Sequence, residues 1–164
     1  MKTSNQKIVP CRCAWIQHIG LGILVVAISS PLFAALGGSL DSVSDDRDSM
    51  KASMKITDSA SYTVYEIKAP SGTVVREYAS PAGRIFGVAW EGPFVPDMRQ
   101  VLGSYFEHYS ESAKAQRDSY IGRRPLNIKE PGLVVQTAGH MRAYSGRAYD
   151  PGLLPAGVSA DAVR

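Results

Sequence analysis

Apolar and polar residues alternate in two short runs near the middle of the chain, Thr73 to Tyr78 and Arg84 to Trp90, both rich in Val, Ile, Phe, Tyr and Trp. Such side chains suit a pleated, half-buried surface, so both runs are predicted strands. Between them, Ala79-Ser80-Pro81-Ala82-Gly83 supplies a fixed φ at Pro81 and the option of a positive φ at Gly83, which together make a turn. A period of two places Arg84, Phe86, Val88 and Trp90 on one face of the second strand, and the smaller set Ile85, Gly87 and Ala89 on the other. Glu91 to Pro96 holds two prolines, each of which removes a ladder donor, so the sheet is expected to pause there. Asp97 then offers an N-cap. Met98, Val101, Leu102, Tyr105 and Tyr109 recur at helical spacing, while Gln100, Ser104, Glu107 and Glu111 take the polar side. A one-sided stripe of this kind predicts a helix lying on a sheet.

The same patterning extends outward. Tyr62 to Ile67 alternates as a first strand, and Ala69-Pro70-Ser71-Gly72 turns it into the second, giving an antiparallel meander. After the helix, Ser110 to Arg124 becomes polar and is expected to fray. Leu133 to Thr137 reads as a fourth strand, and Ala138-Gly139 as the turn into a fifth over His140 to Tyr149. The expected class is α+β: a small antiparallel β-meander with one amphipathic helix packed on it and a C-terminal strand pair. This domain would span 61–150, between a flexible Ser/Asp-rich linker over 35–60 and an irregular tail over 151–164. The linker's Asp41, Asp45, Asp46 and Asp48 lack the strict alternation and central glycine of a calcium loop.

The first residues change the picture most. Met1 to Arg12 holds Lys2, Lys7 and Arg12 and no acid, and Ala14 to Leu36 then runs for 23 residues without Asp, Glu, Lys or Arg. A basic segment, an apolar segment and the small residues of Pro31-Leu32-Phe33-Ala34-Ala35 form the pattern of a signal peptide over 1–34, with cleavage after Ala34. The run is also long enough to stay as an anchor, in which case the leader would be the chain's one attachment to a membrane. Either reading puts the body outside the cytoplasm, in the periplasm or secreted. Three of the 18 basic residues lie in the leader, leaving fifteen against 15 acids, so the body is near neutral and disfavoured as a nucleic-acid binder. Cys11 and Cys13 lie in the leader too, so no disulfide is expected to brace the domain.

A resemblance rests on the wording of the chain. Gly72-Thr73-Val74-Val75-Arg76-Glu77-Tyr78, Ser80-Pro81-Ala82-Gly83, Phe86-Gly87-Val88-Ala89-Trp90, Gly92-Pro93, Pro96-Asp97 and Leu102-Gly103-Ser104-Tyr105-Phe106 follow one another in an order that resembles a bacterial exported family catalogued as domain of unknown function 2844. Ala34-Ala35-Leu36-Gly37-Gly38 near the front, and Gly139 to Tyr144, Gly146 to Tyr149 and Leu154 to Val158 near the end, are similar to it as well. The resemblance implies export and carries over no activity, cofactor or catalytic residue.

Candidate chemistry is sparse. His108 and His140 are the histidines beyond the leader and lack zinc-ligand spacing, and no G-x-S-x-G, phosphate loop or dinucleotide fingerprint occurs. No catalytic residue, metal ligand or cofactor is therefore assigned. On the predicted fifth strand a period of two sets His140, Arg142 and Tyr144 side by side, a row able to grip an anionic or sugar ligand. Glu66 and Glu77 are candidates to face each other across the first hairpin, and Arg76 and Glu77 to point to opposite faces. The expected role is a non-catalytic binding or accessory domain whose partner is an extracytoplasmic protein or glycan. Two alternatives stand beside it: a small hydrolase using His140 with a carboxylate, and a subunit of an exported assembly that pairs through a sheet edge.

Overall fold

Seven strands form among the described residues, two more than the hydrophobic pattern announces. The computed structural model describes residues 35–49, 51–119 and 125–164. The leader expected over 1–34, with its cleavage after Ala34, lies outside them, and so do 120–124. Strands β1 (Ser53–Asp58), β2 (Thr63–Lys68), β3 (Val74–Ala79) and β4 (Ile85–Gly92) make one meander, and β5 (Asn127–Glu130), β6 (Leu133–His140) and β7 (Ala143–Tyr149) a second. They join through an antiparallel β4·β7 pair into one sheet of order β1-β2-β3-β4-β7-β6-β5. The chain is α+β, as its patterning predicts.

Between the meanders runs the helical segment: α2 (Met98–Leu102), a single 3-10 turn over Gly103–Tyr105, and α3 (Phe106–Asp118). Asp97 caps it as expected, its Oδ1 accepting from the backbone N–H of Arg99 at 2.9 Å and of Gln100 at 3.4 Å. Instead of one straight helix there is a break at Gly103, which takes φ +49 and ψ −119. A β-carbon there would overlap that of Ala35, because residues 35–38 run past the break; Leu36 N–H donates to the Val101 carbonyl at 3.2 Å. The stretch expected to fray after Tyr109 stays helical to Asp118, and Ala113 is fully buried.

One sheet face packs on these helices. Ile67, Val75, Val88, Trp90 and Val135 meet Leu36, Val101, Leu102 and Ala113 there, and each large apolar side chain taken out of water contributes roughly 1.5–3 kcal/mol. The opposite face carries Tyr78, Phe86 and Ala89 and is covered by the C-terminal segment, whose Val163 is wholly buried. The tail expected to be irregular is so in backbone, with one 3-10 turn over Ala160–Ala162, yet it docks. Arg147 Nη1 donates to the carbonyls of Ala160 at 3.2 Å and Val163 at 3.3 Å, and the Tyr78 hydroxyl bonds both backbone groups of Arg164. Val163 reaches the sheet because Gly87 has no β-carbon; one would stand 2.6 Å from Val163 Cγ2.

Three expectations change for physical reasons. The face grouping in β4 fails at a bulge: Tyr78 pairs with Gly87 and Ala79 with Ile85, so Phe86 is an extra residue and the alternation shifts phase across it. Phe86 therefore joins Gly87 and Ala89 against the tail, while Ile85, Val88 and Trp90 face the helices. The segment expected as a flexible linker, 35–60, is folded: α1 (Leu40–Ser49) buries Val43, and β1 pairs with β2 over its whole length. Glu66 stands opposite Arg76 rather than Glu77. Arg76 binds Glu66 at 2.9 Å and Glu91 at 2.7 Å on one side of the sheet, and Glu77, fully buried, turns to the other.

Candidate functional site

The β6–β7 hairpin closes through two residues, Met141 and Arg142, with His140 paired to Ala143 and Gly139 to Tyr144. The chain thus passes straight through Ala138-Gly139 and turns later, with Arg142 at φ +66. Consequently His140, Arg142 and Tyr144 do not share a strand: His140 ends β6, Arg142 sits in the turn and Tyr144 belongs to β7. The period-two row was a product of placing the turn too early.

His140 and Tyr144 nevertheless meet at a cleft of about 390 Å³ between the hairpin and the helices. Trp90, only 2% exposed, forms its floor, Met98 and Tyr109 its helical wall, and Arg117 reaches in from the last turn of α3. The lip is apolar and open to water, with Val95 51% and Met141 78% exposed. Both the volume and the mix of aromatic walls with a few polar groups are those of a small-ligand site. Arg142 is not among the described residues that line it, and no Asp or Glu is either.

Arg117 supplies the charge that the sequence reading gave to Arg142. Its Nε donates to the Ala113 carbonyl at 3.2 Å, which aims the guanidinium along the helix. Burial raises the pKa of the Tyr109 phenol, and the Arg117 charge opposes that rise. A signal for this residue existed, since Tyr105, Tyr109, Ala113 and Arg117 recur at steps of four, which sets exposed Arg117 on the same side of the helix as buried Ala113, past the point where the pattern looks polar.

A second cluster joins α3 to the edge strand β5. Glu130 lies between His108 and Ser112, its Oε2 against His108 Nε2 and its Oε1 accepting from the Ser112 hydroxyl. The residue types are those of a hydrolytic triad, but the order is not. A relay needs the imidazole between nucleophile and acid, whereas here the carboxylate stands in the middle. The arrangement is a clasp. The Ser112 hydrogen bond, then that of His108, holds the Glu130 carboxyl below its ordinary value. A lowered carboxylate pKa stabilises the fold above the unfolded-state value, and that contribution is lost as pH falls through the folded value. We therefore expect Glu130→Gln to be less stable than wild type at neutral pH, with a gap that closes on acidification, read as urea midpoints across a pH series. A gap that widens toward acid would contradict this.

Among the described residues no group of three or more His, Cys, Asp or Glu is placed to hold a metal ion, and no helix is long and apolar enough to cross a membrane. His140 is exposed, and its Nδ1 lies 3.3 Å from the Met141 carbonyl. In comparisons with known proteins, a family described as a protein of unknown function (DUF2844) matches residues 32–163. No curated protein and no solved structure matches the chain.

Proposed function

The chain belongs to the DUF2844 family, and from that premise we propose that it is an exported, non-catalytic domain that binds an extracytoplasmic protein or glycan through the cleft between the β6–β7 hairpin and α2–α3. The observation that carries the reading is the cleft itself, an open cavity of about 390 Å³ with a tryptophan floor and an exposed apolar lip. Exposed Val95 and Met141 contribute nothing to the core, and apolar groups held in water beside a concave surface are what a binding partner covers. The leader pattern over 1–34 supports export to the periplasm or beyond, and the family match beginning at residue 32 leaves most of that leader outside the shared domain.

Affinity capture from envelope extracts tests the binding, with Val95→Asp and Met141→Asp as parallel baits. A species retained by the wild type and lost from both variants supports the cleft, and an identical profile on all three overturns it. Amino-terminal sequencing of the protein taken from cells tests export. Ala35 as the first residue supports it, and Met1 on protein recovered from the cytosol ends it. The hydrolase alternative, His140 with a carboxylate, gains no support from the geometry, since the described lining of the cleft holds no acid for it.

A second reading draws on the sheet edge. β1 is one of the two edge strands of the sheet, six residues long, and presents Ile56 at 53% exposure. Such an edge is a template for another chain's strand. Lys55 in its centre is the kind of residue that blunts self-pairing, so the partner would be a different chain. Molecular size in solution, alone and after mixing with envelope extract, checks this.

A further inference from the structure

We propose that the cleft takes an organic monoanion, a single carboxylate on an apolar body, with Arg117 binding the carboxylate and the Trp90, Met98 and Met141 side chains receiving the body. This rests on the cleft being a binding site, as proposed above, and narrows its occupant away from a glycan. Three observations carry it together. The first is the charge count, since among the described residues lining the cleft Arg117 is the one permanent cation and no carboxylate accompanies it. Three other arginines hold acids, Arg76 with Glu66 and Glu91, Arg99 with Glu107 and Arg147 3.5 Å from Asp161, whereas Arg84, like Arg117, donates to a backbone carbonyl.

The second observation is the direction of the side chain. With Nε spent on the Ala113 carbonyl at 3.2 Å, the terminal Nη groups are the donors left for a ligand. Two coplanar N–H groups match the two oxygens of a carboxylate, and hydrogen bonds of this charge-assisted kind are the strong ones. One fixed cation among the described lining residues suits a monoanion better than a doubly charged phosphate. The third is the remaining lining, in which Val95, Met98, Leu126 and Met141 are aliphatic and Trp90 and Tyr109 offer flat rings. A fully polar ligand would leave these surfaces wet. Methionines in particular adapt to irregular apolar shapes, so the site needs no single tail geometry.

The chemistry has two sources, a free organic acid or the terminal carboxylate of a peptide, and the test separates them. Calorimetric titration of the purified protein with octanoate and with N-acetyl-leucine, each against its neutral counterpart, 1-octanol and N-acetyl-leucinamide, reads the contribution of the charge. At least one acid is expected to bind about tenfold more tightly than its neutral partner, the ratio given by a charge-assisted hydrogen bond. The tighter of the two acids identifies the source. Arg117→Gln should erase the preference of acid over neutral probe, Arg117→Lys should keep much of it, and Arg142→Gln should not alter it.

Equal binding of acid and neutral probe to the wild type overturns the proposal, as does an acid preference that survives Arg117→Gln. If no probe binds while Val95→Asp and Met141→Asp still abolish capture, the ligand class is wrong and the cleft remains a binding site. If capture also ignores those variants, the binding reading falls with it.

Discussion

Gly103→Ala is expected to lower stability by about 3–5 kcal/mol, enough to leave little folded protein in a domain of ordinary stability. Two costs combine. At φ +49 and ψ −119 the backbone occupies a region that L-residues avoid, worth about 1–3 kcal/mol. The added β-carbon would also collide with the β-carbon of Ala35, which cannot move aside because residues 35–38 are pinned by Leu36 N–H to Val101 and Gly37 N–H to Ile85, and forced overpacking adds about 1–3 kcal/mol. Gly157→Ala separates the two, since Gly157 has φ +80 but open space around its missing β-carbon. That variant should show the backbone cost alone. Urea denaturation of both proteins is the measurement, and equal losses would refute the collision.

Phe86→Ala is the other large effect, about 3–5 kcal/mol for an aromatic ring removed from a closed site. Phe86 is fully buried, edge-on to Tyr62 with ring centres 6.0 Å apart, and tilted against Tyr78 at 6.2 Å. It is the bulge residue, so its ring stands where a regular strand would have put none. Losing it opens the cluster it forms with Tyr78, Ala89 and Val163, and the C-terminal segment should become open to carboxypeptidase well before the sheet melts. A stability loss below about 1.5 kcal/mol, outside the large-to-small range, or a tail as resistant as in wild type, would show that the bulge ring is not what holds the tail.

The architecture was legible where the cause was local. Alternation found β2, β3 and β4, the Asp97 cap was read from one residue, and the apolar stripe located Val101 and Leu102. What escaped depended on partners distant in sequence. Phe86 changed face because Tyr78 and Ala79 took a bulge opposite it, and nothing within β4 marks that. Gly103 looked tolerable inside a helical pattern because Ala35, whose close approach requires the glycine, lies far upstream. Met54 and Ile56 do alternate with Lys55 and Thr57 in β1, but among so many Ser and Asp residues the alternation reads as linker until β2 is beside it.

The candidate site was half legible. His140 and Tyr144 were named and do border the cleft, whereas Arg142 was grouped with them through a turn placed at Ala138-Gly139. Arg117 and Trp90 meet them only once β4 and β7 pair. The Tyr105 hydroxyl, donating to Asp150 at 2.7 Å, fixes the helix break against the end of β7 in the same long-range way. Burial first, and then that hydrogen bond, pushes the Tyr105 pKa up to about 12, so the phenol keeps its proton at any physiological pH.

The strand order sets a timetable for assembly. β4 is central, yet its second neighbour is the last strand made, so a chain that has emerged only as far as Met141 carries an apolar ribbon with one whole row of amides and carbonyls bare. Topologies that wait on such distant pairing fold slowly and invite misassociation while they wait. Under the export we propose, a chain that crosses a membrane unfolded would begin this search on the far side, with β4 bare until β7 arrives.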